Sequence, residues 1–213
     1  KMIEERKASA TGVDFSGEMI RVAKSKYPGI EFLEGDAQQL DLADESFDAV
    51  VMNFGMLHFS QPLLAMKEAL RVLRPKGWFA FTVWTNPVHS PAASIMFEAK
   101  QKFADMNVPM PAGFPYSFFE SSENCRNFLS EAGFDPASMH YEHQTVHWLV
   151  PTAGYLFDAE LNSVVRNAAF LRQQSPENLL KMRAYVEEGM QQFKVSEGYS
   201  LPFLGCVIAA EKQ

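Results

Sequence analysis

The stretch Ser9-Ala10-Thr11-Gly12-Val13-Asp14-Phe15-Ser16-Gly17-Glu18-Met19-Ile20 decides how this chain is read. Residues 9–14 read as a short buried strand that stops at an acid. Ser16 then suits a helix N-cap, and Glu18 puts negative charge in the first turn. Met19, Ile20, Ala23 and Tyr27 fall on one helical face, and Pro28-Gly29 ends that helix. A strand that turns into a helix at a carboxylate predicts one unit of an α/β sheet.

The pattern repeats outward from there. Residues 30–33 predict a second strand, closed by the turn Glu34-Gly35-Asp36, and residues 40–45 a polar connection. Phe47-Asp48-Ala49-Val50-Val51-Met52 predicts a third strand, and its nearly continuous apolar character predicts cover on both faces. Pro62 suits the first turn of a helix carrying Leu63, Met66, Leu70 and Leu73 on one face, with Pro75-Lys76-Gly77 as its stop. Trp78-Phe79-Ala80-Phe81-Thr82-Val83 predicts a fourth buried strand. Short links between alternating strands and helices predict a mainly parallel sheet with helices on both faces.

The second half is less regular. Residues 85–119 predict one helix, opened by Ser90-Pro91, and then a loop over residues 109–116. A helix over residues 122–132 carries Cys125, Phe128, Leu129 and Ala132 as its apolar stripe and stops at Gly133. Residues 139–149 predict a strand, residues 152–193 two or three helices with one opening at Ser175-Pro176-Glu177, and residues 199–210 a last strand.

Composition narrows the function classes. At 213 residues, 47% of them hydrophobic, the chain can bury a core as a single domain. No apolar run approaches the roughly 18 residues of a membrane span. Residues 1–7 read as a charged helix turn with no signal-peptide core, so a cytoplasmic protein without a membrane partner is expected. The net charge of −7 disfavours nonspecific nucleic-acid binding. Cys125 and Cys206 form no CxxC pair and read as two reduced, buried thiols.

Three strand ends carry polar residues that could hold a ligand. Ligands in open α/β sheets bind at the carboxyl ends of the strands. Asp14 could accept both hydroxyl protons of a ribose, or serve only as a helix N-terminal acid. Asp36 could accept a hydrogen bond from an exocyclic amine such as that of adenine, or close an ordinary turn. Asn53-Phe54-Gly55 could hold an amino-acid-like end. Among the histidines, His143 and His147 would stand about 13 Å apart on a strand, too far to share a metal. His140 falls on the opposite face, and His89 precedes a helix and reads as exposed. His58 is the histidine best placed to meet a substrate, with a structural role as the alternative. The chain has no G-x-S-x-G elbow, no P-loop, no H-E-x-x-H and no glycine-rich phosphate loop.

Taken in order, these segments resemble the class I, Rossmann-like S-adenosylmethionine-dependent methyltransferases. The resemblance is carried by Gly12-Val13-Asp14-Phe15-Ser16 with Met19-Ile20, by Glu34-Gly35-Asp36-Ala37, by Ser46-Phe47-Asp48-Ala49-Val50, by Leu57-His58, and by the run from Glu68 through Pro75-Lys76-Gly77-Trp78. It implies S-adenosylmethionine as cofactor: Asp14 on the ribose with Phe15 beside the adenine, Asp36 and Ala37 on the adenine edge, Asn53 and Phe54 at the methionine end. It implies a small-molecule acceptor and an antiparallel C-terminal sheet edge. It implies one domain over residues 1–213, with a core over residues 1–84, 120–150 and 198–213 and helical lid insertions over residues 85–119 and 151–197. Trp84, Met110, Phe114, Tyr116, Phe118 and Phe119 could line an apolar acceptor pocket or fill the core beneath a lid. His58, Trp84, Phe114 and Tyr116 are the substrate-binding candidates. No catalytic residue and no metal ligand is assigned.

The first strand and G-x-G-x-G loop of that family should precede Gly12. The fold is therefore expected to be N-terminally incomplete, with a gap, a collapsed seam or a swapped strand between the strand ending at Asp14 and that of residues 47–52. The natural protein is expected to carry a further N-terminal segment with that strand. A non-catalytic ligand-binding module and a nicotinamide-dependent oxidoreductase are the competing readings.

Overall fold

The computed structural model describes residues 8–110, 113–163 and 165–213, with the side chain of Val165 left out. The charged turn expected over residues 1–7, and Pro111 and Ala112 of the expected loop, lie outside the described residues. The strand β1 (Thr11–Asp14) leads into helix α1 (Gly17–Lys26). The Ser16 side chain accepts the Met19 N–H at 3.3 Å, so the anticipated cap forms. Strand β2 (Glu31–Glu34) returns parallel to β1, pairing from Thr11↔Glu31 to Asp14↔Glu34.

Strand β3 (Phe47–Asn53) begins a second sheet. It is followed by helix α2 (Pro62–Val72), strand β4 (Leu73–Trp84), helix α3 (Pro91–Phe103) and helix α4 (Ser122–Ala132). Strand β5 (His140–Val150), helices α5 (Tyr155–Asn162), α6 (Val165–Leu171) and α7 (Pro176–Met190), the short β6 (Lys194–Val195) and β7 (Gly198–Glu211) complete it. The order is β3-β4-β7-β5, with β6 on β7. The β3–β4 pair is parallel, whereas β4, β5 and β6 all run antiparallel to β7. The antiparallel C-terminal edge is thus present. Helix α4 ends where the sequence indicates, at Gly133 with φ +106°, in the left-handed region that favours glycine.

Two sequence expectations are corrected. Strand β3 is not covered on both faces: Val50 and Met52 pack on the core, but Val51 is 75% exposed. Among the described residues nothing lies over the Val51 face. Pro75-Lys76-Gly77 does not separate helix from strand. Helix α2 stops at Val72 and β4 starts at once at Leu73. The reason is tertiary: Lys76 N–H donates to Lys212 O at 3.0 Å and Lys212 N–H to Gly77 O at 2.9 Å. The C-terminal end of β7 therefore draws these residues into the sheet. The β3–β4 register shifts beside them, between Phe47 and Ala49.

The β1–β2 pair is a sheet of its own. Among the described residues, β1 pairs only with β2 and β3 only with β4. Polar bonds join the two sheets. Leu40 N–H donates to Glu68 Oε2 at 2.7 Å, and the Arg71 guanidinium donates to the carbonyls of Leu40 at 2.9 Å and Leu42 at 2.7 Å.

The apolar core has two parts. One joins α2 and α4 to one face of β4 and β7, through Met66, Leu129, Phe79, Phe81 and Ile208. The other packs α3, α5, α6 and α7 with Val150 and Leu201 at the ends of β5 and β7. The segment 85–119, expected to act as one lid piece, divides between them. Helix α3 belongs to the second cluster, whereas Phe119 is fully buried in the first and cannot line an open pocket. Phe114 and Phe118 are half-buried beside it, with ring centroids 5.4 and 5.1 Å from that of Phe119. Among the described residues no helix is long and apolar enough to cross a membrane.

Candidate functional site

The ends of β1, β2 and β3 meet at one rim, and short polar contacts hold them there. Gly35 N–H donates to Asp14 O at 3.0 Å, which ties the exit of β2 to that of β1. Gln38 Oε1 accepts the Gln61 N–H at 2.8 Å and the Ser60 hydroxyl at 3.2 Å. That joins the loop after β2 to the loop after β3.

Asp14 sits at the first exit. Its Oδ1 accepts the Ser16 N–H at 2.8 Å, and its second oxygen has no protein donor among the described residues. Phe15 beside it is 82% exposed, an open aromatic face at the rim. Asp36 is engaged differently. Its Oδ1 accepts the Gln38 N–H at 2.8 Å, and both carboxylate oxygens lie 3.2 Å from Gln38 Nε2. The carboxylate thus shapes its own turn and orients the Gln38 bridge, while Ala37 is half-buried next to it.

At the third exit the Thr82 hydroxyl donates to Asn53 Oδ1 at 2.7 Å and accepts the Phe54 N–H at 2.9 Å. Phe54 is held at φ +53°, uncommon for a residue with a side chain. Its ring stacks on Trp84, with centroids 3.8 Å apart and planes 12° apart. Gly205 makes room: a Cβ there would lie 3.2 Å from Val83 O and 3.6 Å from the Phe54 ring. Phe203 continues the aromatic line, 5.8 Å from Trp84.

The remaining candidates scatter. His58 ends a short turn anchored by the fully buried Met56, and its ring is exposed with no hydrogen-bond partner among the described residues. Trp84 is at the rim. Phe114 packs into the first core cluster, and Tyr116 is exposed in the loop that follows it. His147 is bonded through Nδ1 to Ser200 Oγ at 3.0 Å, and His140 lies against Trp78.

One feature escaped the sequence reading. His89, Ser117, Glu120, Ser121, His143 and Leu204 line a cleft of about 500 Å³. It gathers residues from four separate segments, so no local spacing announces it. Below it the Tyr141 hydroxyl donates to Glu120 O and lies 3.1 Å from Cys206 Sγ. Burial, with Cys206 nearby, pushes the Cys125 thiol up to about 12.

A sequence profile described as a methyltransferase domain matches residues 1–81. The demethylmenaquinone methyltransferase of Renibacterium salmoninarum is 30% identical over 135 residues, 59% of this chain and 57% of that protein. Its counterpart in Chlorobaculum parvum is 35% identical over 139 residues, 61% of this chain and 58% of that protein. The chain thus matches little more than half the length of these relatives. Among solved structures, the YcgJ protein of Bacillus subtilis superposes with a TM-score of 0.54 at 19% identity, covering 96% of this chain and 82% of that one. A SAM-dependent methyltransferase from Methanosarcina mazei superposes with a TM-score of 0.53 at 16% identity, covering 99% and 85%.

Residues 1–81 thus match a methyltransferase domain, and the chain shares the fold of these solved structures.

The rim residues suit an adenosine-bearing ligand on their own chemistry. An unengaged carboxylate oxygen at Asp14 suits a ribose diol, and the open Phe15 face suits a purine. Asp36 suits it less well, because Gln38 already occupies both of its oxygens.

Proposed function

We propose that this protein transfers a methyl group from S-adenosylmethionine to a small acceptor that is largely apolar or aromatic. The observation that supports it best is the rim itself, where Asp14, Phe15, Asn53 and Phe54 stand at strand exits joined by Gly35 and Gln38. In this reading Asp14 binds the ribose, Phe15 covers the adenine, the Asp36–Ala37 turn lies at the adenine edge, and Asn53 and Phe54 border the methionine end. S-adenosylmethionine, when bound, supplies a methyl group already activated by its sulfonium charge. The chain's own task is then to position the acceptor and keep the site dry.

The Phe54–Trp84 stack supports a flat, apolar acceptor, and in this reading His58, Phe114 and Tyr116 remain substrate-binding candidates to be tested by substitution. Relatives that share 30–35% identity with the matched stretch are named demethylmenaquinone methyltransferases, and an acceptor of that kind suits the aromatic rim. In this reading α3 and α5 to α7 form the lid over the acceptor. Two free thiols, Cys125 and Cys206, accord with a cytoplasmic setting.

Calorimetric titration with S-adenosylmethionine and, separately, with NAD tests the cofactor. Binding of the first and not the second is the expected result, and the reverse would replace the reading with that of an oxidoreductase. Labelled-methyl transfer onto small-molecule, RNA and protein pools tests the acceptor. Transfer confined to RNA or protein would refute the acceptor class.

A further inference from the structure

The cleft lined by His89, Ser117, Glu120, Ser121, His143 and Leu204 holds the arrangement of a base and the group that orients it. His89 Nδ1 lies 2.5 Å from Glu120 Oε1. The Glu120 side chain is only 18% exposed and is fixed at its other oxygen, which accepts the Asn86 N–H at 3.0 Å. The His89 side chain is 59% exposed, so its other ring nitrogen is open to solvent and to whatever enters. A carboxylate bonded to one nitrogen of an imidazole sets its tautomer and leaves the other nitrogen as the proton acceptor.

The sheet places this pair at the carboxyl end of β4, the same sheet edge as the proposed methyl-transfer rim. In the β4–β7–β5 ladder, Val83 pairs with Cys206 and Cys206 with His143, one row before Trp84↔Gly205↔Gln144. Leu204 is one residue farther out. Its carbonyl accepts from Thr85 N–H at 3.2 Å and Thr85 hydroxyl at 3.0 Å, and its N–H donates to Ser90 Oγ at 3.0 Å. The segment carrying His89 is therefore clamped to the carboxyl end of β4, just after Trp84, while successive rows point His143 and Trp84 to opposite faces of the sheet.

We propose that His89 takes the proton from an aromatic hydroxyl acceptor bound in this cleft, with Glu120 as its positioning residue. The proposal rests on the methyl-transfer reading and names the acceptor's reacting group. A neutral amine already carries a free electron pair, whereas an aromatic hydroxyl becomes a strong nucleophile only as its proton leaves. The acceptor oxygen bonds to the methyl carbon, the carbon–sulfur bond breaks with its electron pair going to sulfur, and the hydroxyl proton goes to the open nitrogen of His89. The other titratable groups of the cleft are His143 and, behind it, the Tyr141 hydroxyl, 3.4 Å from His143 Nε2.

A test that needs no cofactor uses 4-nitrophenol, whose ionised form absorbs visible light. Mixed with the protein slightly below the pH at which the free probe ionises, it should gain the absorbance of the ionised form on binding. His89→Gln should abolish that gain, and Glu120→Gln, whose amide oxygen still accepts the Asn86 N–H, should shift its pH dependence. In labelled-methyl transfer onto a naphthol, His89→Gln should lower the rate by about 100-fold or more with little change in acceptor KM. Absence of probe ionisation in the unaltered protein, or its persistence in His89→Gln, would overturn the proposal. Should S-adenosylmethionine still bind calorimetrically in that case, the methyltransferase reading stands and the base assignment alone falls.

Discussion

Residues 8–46 and residues 47–213 are built on different principles. The first region buries one apolar side chain, Ile20, and is otherwise half-exposed or exposed. The second buries Phe79, Phe81, Phe119, Met66, Leu129 and Ile208 among many others, in two clusters. At about 25 cal/mol per Å² of apolar surface removed from water, the hydrophobic term is concentrated in the second region. The first is held by a helix cap, one pair of parallel strands and the polar bonds around Gln38, Glu68 and Arg71. Apolar burial is sparse on the side of the rim proposed for the cofactor and dense on the side proposed for the acceptor, and segments with few buried apolar contacts open locally at lower free energy.

The largest effect should come from the densely buried side. Phe81→Ala should cost about 3–5 kcal/mol, read from denaturant unfolding of the whole body. Ile20→Ala should cost about 2 kcal/mol at most, because its surroundings are already open, and should speed hydrogen exchange only in β1, α1 and β2. Equal and global losses for both variants would break the comparison.

Alkaline pH should act on the same side. The buried Cys125 thiol is raised from 9.0 to about 12, and Cys206 is raised in the same direction by burial. The folded state keeps protons that the unfolded state releases, so this stability is complete below about pH 9 and is lost as pH rises through about 12. Replacing Cys125 with Ala should flatten that alkaline fall in the denaturant midpoint. A midpoint that falls just as steeply in the variant would assign the loss to other groups.

On the sparsely buried side, Asp14→Ala should weaken S-adenosylmethionine binding about 10- to 100-fold, since hydrogen bonds to a charged acceptor are worth about 1.5–3 kcal/mol. Unchanged affinity in calorimetry, with the variant folded, would remove Asp14 from the site. The smallest effect sharpens the boundary between the regions. Arg71→Ala strips a donor from the Leu40 and Leu42 carbonyls and should cost about 1–2 kcal/mol, softened because the guanidinium is partly exposed. Exchange should quicken over residues 36–46 and stay unchanged in β4 and β7. Slower exchange, or none of the expected change, would show that these bonds do not tie the regions together.

Local chemistry was readable in the residues themselves. Ser16 caps α1, Gly133 ends α4 and Ser175 opens α7, because each depends on a side chain or backbone angle within a few residues. Strand periodicity and the acids at strand ends were legible for the same reason, and they carried the family resemblance. The order of the strands in space was not. Placing β7 between β4 and β5 is a long-range choice, and it alone sets Gly205 under Phe54 and draws Pro75-Lys76-Gly77 into β4. Whether a second layer covers Val51, exposed among the described residues, is a tertiary matter that no strand pattern encodes. At Asp36 both readings were open from sequence, and only the folded Gln38 side chain shows its carboxylate engaged in its own turn. His89 and Glu120 stand 31 residues apart in the chain and 2.5 Å apart in space. The sequence specified which groups were available and which short segments would form. Only the packing of distant segments, driven by burial of their shared apolar faces, decided which groups would meet.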